Sequence, residues 1–183
     1  MVLEVSPKEK RNELIVSKDI GEKIDRILIE YKQRHKLAKH GMRNRRKVLL
    51  AGPPGTGKTM TASIIANEIK LPLFVILMDK LVTKFIGESS SKLRQVFELT
   101  TERPGVYFFG EFDTIGGERA KDNDVGEMRR VLNSFLHFIE RDSSENLILA
   151  ATNNIRLLDH ALFRRFDDVI QYDYVRVWNV SAQ

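Results

Sequence analysis

Short apolar runs alternate with longer segments of helical periodicity along most of the chain. Five runs of four or five residues are mostly apolar and predict buried strands, at residues 47–51, 73–77, 106–109, 147–151 and 169–172. Between them, apolar positions at helical spacing predict helices near residues 19–31, 59–70, 89–103 and 126–141. Strands that alternate with helices favour an open, mostly parallel α/β sheet.

The two ends of the chain lack this periodicity. We predict an irregular lead-in over residues 1–18, a nucleotide-binding domain over residues 19–172 and a C-terminal tail over residues 173–183. A chain of 183 residues suits one compact domain, which buries roughly 70% of its unfolded surface.

Positive charge is concentrated in one segment. The net charge is +5, and the segment from Lys32 to Lys47 holds eight Lys or Arg, two His and no acid, so the remainder of the chain is slightly acidic. Such a segment can attract nucleic acid or an acidic partner, or it can be a solvated helix face. The segment has no aromatic residue to stack on bases, which favours the solvated face.

Composition excludes several classes of protein. The sequence has no cysteine, which excludes disulfides, thiolate metal sites and a cysteine nucleophile. Its four histidines show no metal-binding spacing. No apolar run approaches the roughly 20 residues that a membrane span needs, and the first residues show no signal-peptide pattern. We expect a cytoplasmic protein with no membrane partner.

Residues 52–59, GPPGTGKT, fit the phosphate-loop pattern G-x-x-x-x-G-K-[ST]. Glycines let the backbone N–H groups converge on phosphate oxygens, and the following helix directs its N-terminus at the same charge. Lys58 reaches the β- and γ-phosphates, and the Thr59 hydroxyl is a ligand for Mg²⁺. We therefore predict that ATP or ADP and Mg²⁺ bind here. The predicted nucleotide-binding residues are Gly52, Pro53, Pro54, Gly55, Thr56, Gly57, Lys58, Thr59 and Met60.

With Pro-Pro-Gly-Thr inside the loop, this segment resembles that of the AAA+ ATPases, and the resemblance extends over roughly residues 20–172. It implies the three-layer sandwich of a P-loop NTPase. The five parallel strands, numbered in chain order, would follow the order 5-1-4-3-2. The family usually continues into a small helical lid. We expect the lid to be absent here, because residues 173–183 show no helical pattern.

Residues 106–111, VYFFGE, resemble the apolar strand that ends in Asp-Glu in this family, the Walker B motif. The resemblance implies that Glu111 activates the attacking water. Gly110 stands where the family has the Asp that helps to hold Mg²⁺. A glycine supplies no carboxylate, so the sequence predicts nucleotide binding, with hydrolysis conditional on the remaining groups.

Three further catalytic residues follow from the same resemblance. Asn153 ends a strand and resembles the sensor-1 residue, which contacts the γ-phosphate or the water. Arg164 and Arg165 lie in a segment that resembles the arginine-finger region, although many relatives have Pro-Gly between the two arginines. One of them should reach the γ-phosphate of a neighbouring subunit, and we slightly favour Arg165.

Phe85, Ile86 and Gly87 resemble the pore loop that grips polypeptide in substrate-threading members of the family, although Phe85 could equally pack in the core. Together these motifs predict an ATPase that remodels or unfolds a protein client within a homo-oligomeric, hexameric ring. Gly110 leaves open a non-hydrolysing structural or regulatory subunit. The basic segment leaves open a motor that acts on nucleic acid.

Overall fold

The computed structural model describes residues 1–81, 88–110, 122–154 and 163–174, with the backbone alone for residues 122–129. Its strands are β1 (Val2–Val5), β2 (Lys47–Ala51), β3 (Leu73–Ile76), β4 (Val106–Phe109), β5 (Leu147–Thr152) and β6 (Asp168–Gln171). Its helices are α1 (Lys18–Lys32), α2 (Arg34–Lys39), α3 (Lys58–Ile69), α4 (Met78–Leu81), α5 (Glu88–Glu102) and α6 (Asp122–Arg141). A single 3-10 turn covers Arg11–Glu13.

The strands form one sheet in the order β1-β3-β4-β5-β2-β6. The last five are parallel to one another, and their order confirms the predicted 5-1-4-3-2 arrangement. Four residues of β4 and all six of β5 are buried, as expected for strands covered by helices on both faces.

The irregular lead-in predicted for residues 1–18 is wrong at residues 2–5. Val2–Val5 forms an antiparallel strand on β3, with Val2 opposite Ile76 and Val5 opposite Leu73. Leu3, Glu4 and Val5 are exposed, so this strand has no buried face that the sequence pattern could reveal. The sheet therefore has six strands, of which one is an antiparallel edge.

Two hydrophobic clusters lie on opposite faces of the sheet. Alternate strand residues divide between them, so that Val48 and Leu50 contact one cluster and Leu49 the other. The first cluster contains apolar residues of α1 and α3. The second contains those of α5 and α6, including Phe97 and Phe135. The result is the predicted three-layer sandwich.

A buried ion pair closes the end of the sheet at which the parallel strands begin. Arg46 precedes β2 and pairs with Asp142 after α6; their side chains are 10% and 1% exposed. The Asp142 carboxylate also accepts a hydrogen bond from the Thr100 hydroxyl at 3.2 Å. This pair takes one charge of the basic segment out of solvent.

At the opposite end, where β2 ends, Gly52 is fitted tightly between two strands. Its N–H donates to the Thr152 carbonyl at 3.1 Å, and the Tyr172 N–H donates to the Ala51 carbonyl at 2.6 Å. The φ angle of Gly52 is +151°, and an added Cβ would lie 2.7 Å from the Cβ of Tyr172. Only glycine fits this position without a shift of the backbone.

We predict that Asp142→Ala lowers the free energy of unfolding by about 3–5 kcal/mol, because Arg46 would remain buried without its partner. Denaturant unfolding measures this loss. Glu145→Ala is the matched control, since the Glu145 side chain is 74% exposed and contacts Arg34, and it should cost about 1 kcal/mol at most. Equal losses in both variants would contradict the structural role of the buried pair.

We predict that Gly52→Ala lowers the free energy of unfolding by about 2–4 kcal/mol, since it adds a clash with Tyr172 to backbone strain. Gly41→Ala provides the comparison, because Gly41 has a φ angle of +71° and open space around its Cα. It should cost about 1 kcal/mol. Thermal or urea unfolding separates the two variants, and a Gly52→Ala protein as stable as Gly41→Ala would refute the close approach.

Candidate functional site

The loop from Gly52 to Gly57 connects β2 to α3 at the carboxyl end of the parallel strands. Gly55 and Gly57 have φ angles of +76° and +96°, which residues with a Cβ rarely adopt. Gly57 is the N-cap of α3, and no side chain caps this helix. The first N–H groups of α3 are therefore open to an anion placed in the loop.

Lys58 lies inside the curve of this loop. Its ammonium group donates to the carbonyls of Gly52 and Pro53, at 2.7 and 2.8 Å, and the residue is 5% exposed. The Thr56 hydroxyl also donates to the Pro53 carbonyl, at 2.7 Å. The loop thus holds a buried positive charge beside the uncapped start of a helix, an arrangement that suits a phosphate chain.

Thr59 is exposed on the first turn of α3, where the sequence predicts a ligand for Mg²⁺. Its hydroxyl fits that role, because Mg²⁺ takes few protein oxygens and keeps phosphate and water ligands. Within the described ranges, no group of three His, Asp or Glu could hold a metal by itself. The protein's described contribution to a magnesium site is therefore small.

Gly110 follows β4 and lies next to the end of β3. Its N–H donates to the Ile76 carbonyl, with 3.4 Å between nitrogen and oxygen. An added Cβ would have that same carbonyl oxygen as its nearest neighbour, at 3.7 Å, which is an ordinary contact distance. Among the described residues, the position thus has room for a Cβ. The next residue, Glu111, lies outside the described residues, as do Phe85, Ile86 and Gly87.

Asn153 directly follows β5, and the structure brings it close to the phosphate loop. Thr152, the last residue of β5, is paired with Ala51 at the end of β2. The Thr152 hydroxyl accepts from the Asn154 N–H at 3.1 Å and turns the chain there. Asn153 is half-buried at this turn, at the end of the strand that neighbours the loop.

The two arginines of the predicted finger differ in their surroundings. Arg165 pairs with Glu140 at the end of α6, and the two side chains are 37% and 52% exposed. Arg164 is exposed, and no ion pair links it to the described residues. Phe166 anchors the segment, because its ring is buried and lies 6.4 Å from that of Phe135.

A cavity of about 670 Å³ opens beside the loop and reaches Thr56. Its walls come from the two ends of the domain: Ile15, Val16 and Ile20 on one side, Tyr172 and Tyr174 on the other. Ile15 and Tyr174 are 79% and 65% exposed, which is unusual for large apolar side chains. This cavity has the size and apolar lining of a small-molecule site.

Sequence reasoning missed this cavity because Ile15, Val16 and Tyr174 fall in the predicted lead-in and tail, which are far apart in sequence. One signal was available: Leu14, Ile15 and Val16 form an apolar run within an otherwise charged stretch. Leu14 is buried and packs against Gly57 of the loop. The segment before α1 is therefore part of the site.

Tyr172 supports both the loop and the cavity. Its hydroxyl lies 2.8 Å from the Thr61 hydroxyl of α3. Burial raises the pKa of Tyr172 to about 12, while the hydrogen bond with Thr61 and the charge of Arg11 act in the opposite direction. The phenol is therefore neutral throughout the physiological pH range. Its hydrogen bond with Thr61 connects the chain after β6 to α3.

The chain is similar to a large set of ATPases. Residues 48–174 match the family model described as "ATPase family associated with various cellular activities (AAA)". An uncharacterized AAA family ATPase of Sinorhizobium fredii, y4kL, is 37% identical over 169 residues, which are 92% of this chain and 51% of that protein.

Two further relatives are named for defined activities. A proteasome-activating nucleotidase of Methanosphaerula palustris is 35% identical over 91% of this chain and 42% of its own length. An ATP-dependent zinc metalloprotease FtsH of Helicobacter felis is 34% identical over 91% of this chain and 28% of its own length. The chain thus spans about half or less of these curated relatives. The phosphate loop, the strand order and the matched residues together show that this chain belongs to the AAA family of ATPases.

Proposed function

We propose that this chain binds ATP or ADP with Mg²⁺ and hydrolyses ATP as part of an AAA+ module that remodels protein clients. The observation that carries the proposal is the uncapped start of α3, which faces a glycine loop holding the buried Lys58. Nucleotide phosphates would accept from the loop N–H groups and from Lys58. The base would enter the neighbouring cavity between Ile15 and Tyr174.

The roles proposed for the catalytic residues follow from the resemblance to the family, and the positions of Thr59 and Asn153 beside the loop support them. Thr59 would ligate Mg²⁺, which neutralises charge on the phosphates when bound. Asn153, at the end of β5, would contact the γ-phosphate or the attacking water, and Glu111 would activate that water. Because Gly110 offers no carboxylate, Mg²⁺ would depend on Thr59, phosphate and water alone.

A second candidate function is nucleotide binding without hydrolysis, in a structural or regulatory subunit. Gly110 favours it, since a Cβ at this position would fit among the described residues and yet the sequence supplies no carboxylate there. The two candidates share the same nucleotide site and differ only in turnover. They can therefore be separated by measuring binding and hydrolysis on one preparation.

The described contacts weaken the proposal that the protein acts on nucleic acid. Half of the eight basic residues between positions 32 and 47 have partners inside the domain. Arg46 pairs with Asp142, Arg45 with Glu30 and Arg34 with Glu145, and the Lys47 ammonium donates to the Asp142 carbonyl. These contacts leave only part of the segment's charge to follow a phosphate backbone.

The names of the relatives support a protein client. One relative activates a proteasome and another is an ATP-dependent protease. We propose by this analogy that the module works in a homo-oligomeric ring, hexameric in the intact form, and that Phe85, Ile86 and Gly87 grip the client. Among the described residues, no helix combines the length and apolarity needed to cross a bilayer. The cytoplasmic location stays a prediction.

We propose that Arg164, rather than Arg165, reaches the neighbouring subunit. Arg165 is held by Glu140 of its own chain, whereas Arg164 extends into solvent. A residue that must contact the next subunit's phosphate cannot at the same time keep its ion pair on α6. This assignment differs from the slight preference for Arg165 that the motif suggested.

We predict that the unchanged chain binds Mg²⁺-ATP and hydrolyses it slowly, and that Gly110→Asp raises turnover by about tenfold or more, because the new carboxylate can hold the water shell of Mg²⁺. Parallel measurements of nucleotide binding and phosphate release test this. Gly110→Asn is the matched control, as it fills the same space without charge. Lys58→Ala should abolish binding in every background.

Two results would contradict this reasoning. High turnover in the unchanged chain that Gly110→Asp leaves unaltered would remove the second candidate function and the assigned role of position 110. Absence of nucleotide binding in the unchanged chain would overturn the proposed site itself.

We predict that Arg164→Ala lowers turnover of the Gly110→Asp protein by about 1,000-fold, the usual effect of a lost arginine finger. Arg165→Ala should have a much smaller effect. Because the finger acts on a neighbour, mixing Arg164→Ala with Lys58→Ala subunits should restore activity at interfaces with one intact site and one intact finger. A larger loss for Arg165→Ala, with rescue on mixing, would assign the finger to Arg165.

A further inference from the structure

A groove of about 400 Å³ lies between α5 and α6, on the face of the sheet opposite α3. Each helix contributes residues four positions apart, which lie on one side of a helix. Ser90 and Arg94 come from α5, and Ser134 and Phe138 from α6. No step of the proposed nucleotide chemistry uses these residues.

The groove has a polar floor and an aromatic wall. The hydroxyls of Ser90 and Ser134 lie 2.8 Å apart and join the two helices at the floor. Phe138 forms a wall, its ring stacked on Phe97 with 5.4 Å between centroids. The guanidinium carbon of Arg94 lies 6.0 Å from the centre of the Phe138 ring, so the charge projects along the groove.

The rim carries hydrogen-bond donors and positive charge. Arg94, Asn133 and His137 line the groove and are exposed, and no carboxylate is among the described lining residues. Glu98 is exposed four residues after Arg94 on α5, and two other acids near the groove have partners of their own. Glu88 pairs with Lys92 at 3.0 Å, and Glu140 pairs with Arg165. The charge of Arg94 has no ion-pair partner within the described part of the chain.

We propose that this groove binds a short acidic segment of a protein partner. One or two carboxylates would accept from the Arg94 guanidinium and the Asn133 amide, and an adjoining apolar side chain would lie on Phe138. A carboxylate suits the fork of donors that arginine presents. The volume lies near the lower limit of ligand pockets, which restricts the contact to a few side chains.

The charges around the groove favour a peptide over nucleic acid. A phosphate backbone needs a continuous basic track. Among its described lining residues the groove presents one arginine, Arg94, rather than such a track. It therefore suits one or two carboxylates of a short acidic motif and not an extended chain of phosphates.

Fluorescence polarisation with a fluorescein-labelled hexaglutamate peptide tests the proposal at low ionic strength, and a hexaglutamine peptide controls for non-ionic binding. We expect the hexaglutamate probe to bind the complete chain. Arg94→Gln should weaken binding about tenfold through the loss of a charge-assisted contact. Lys39→Gln is the matched control, because Lys39 is an exposed cation on α2, and it should leave the affinity unchanged.

Four outcomes would overturn the proposal. The first is no binding of hexaglutamate, and the second is equal weakening by Arg94→Gln and Lys39→Gln, which would show attraction to net charge alone. The third is tighter binding of a single-stranded oligonucleotide than of hexaglutamate, together with loss of the oligonucleotide's binding in Arg94→Gln. This result would assign the groove to nucleic acid. Ser134→Leu, which fills the floor without removing charge, should weaken hexaglutamate as well. The fourth outcome is an unchanged affinity of Ser134→Leu for hexaglutamate, which would place the binding outside the groove.

Discussion

The nucleotide site depends on a phosphate loop that is fixed in shape while no side chain caps the start of α3. An anion can then approach the first turn of the helix, so the chain must hold the loop by other groups. It does so from both sides, through the bond from Gly52 to Thr152 and the bond from Tyr172 to Ala51. The tight fit of Gly52 and the buried phenol of Tyr172 are consequences of this arrangement. The parallel sheet matters because it brings these strand ends to one edge.

Much of this architecture could be predicted from local sequence. Strands buried on both faces must be apolar throughout, which is why residues 106–109 and 147–151 were recognisable without homologues. The phosphate loop was recognisable because its backbone geometry demands particular residues at fixed spacing. The strand order required the family resemblance, since periodicity alone does not specify which strands are neighbours.

The features that sequence reasoning missed depend on contacts between distant segments. Val2–Val5 is a strand only because β3 offers it an edge, and its own pattern resembles a loop. The cavity beside the loop combines Ile15 with Tyr174, from opposite ends of the domain. The sequence left a partner surface open as the alternative for the basic segment, because Glu30 and Asp142, which neutralise part of it, lie elsewhere in the chain.

The strand β1 also affects how the protein behaves toward other copies of itself. Without it, the sheet would end in β3, whose sequence Leu-Phe-Val-Ile is apolar and rich in residues that favour strands. An uncovered apolar edge of this kind is a template for intermolecular pairing. With β1 in place, the edge is a four-residue strand whose Glu4 pairs with Arg103. Detachment of the first few residues would therefore promote aggregation, even though they contribute little to the hydrophobic core.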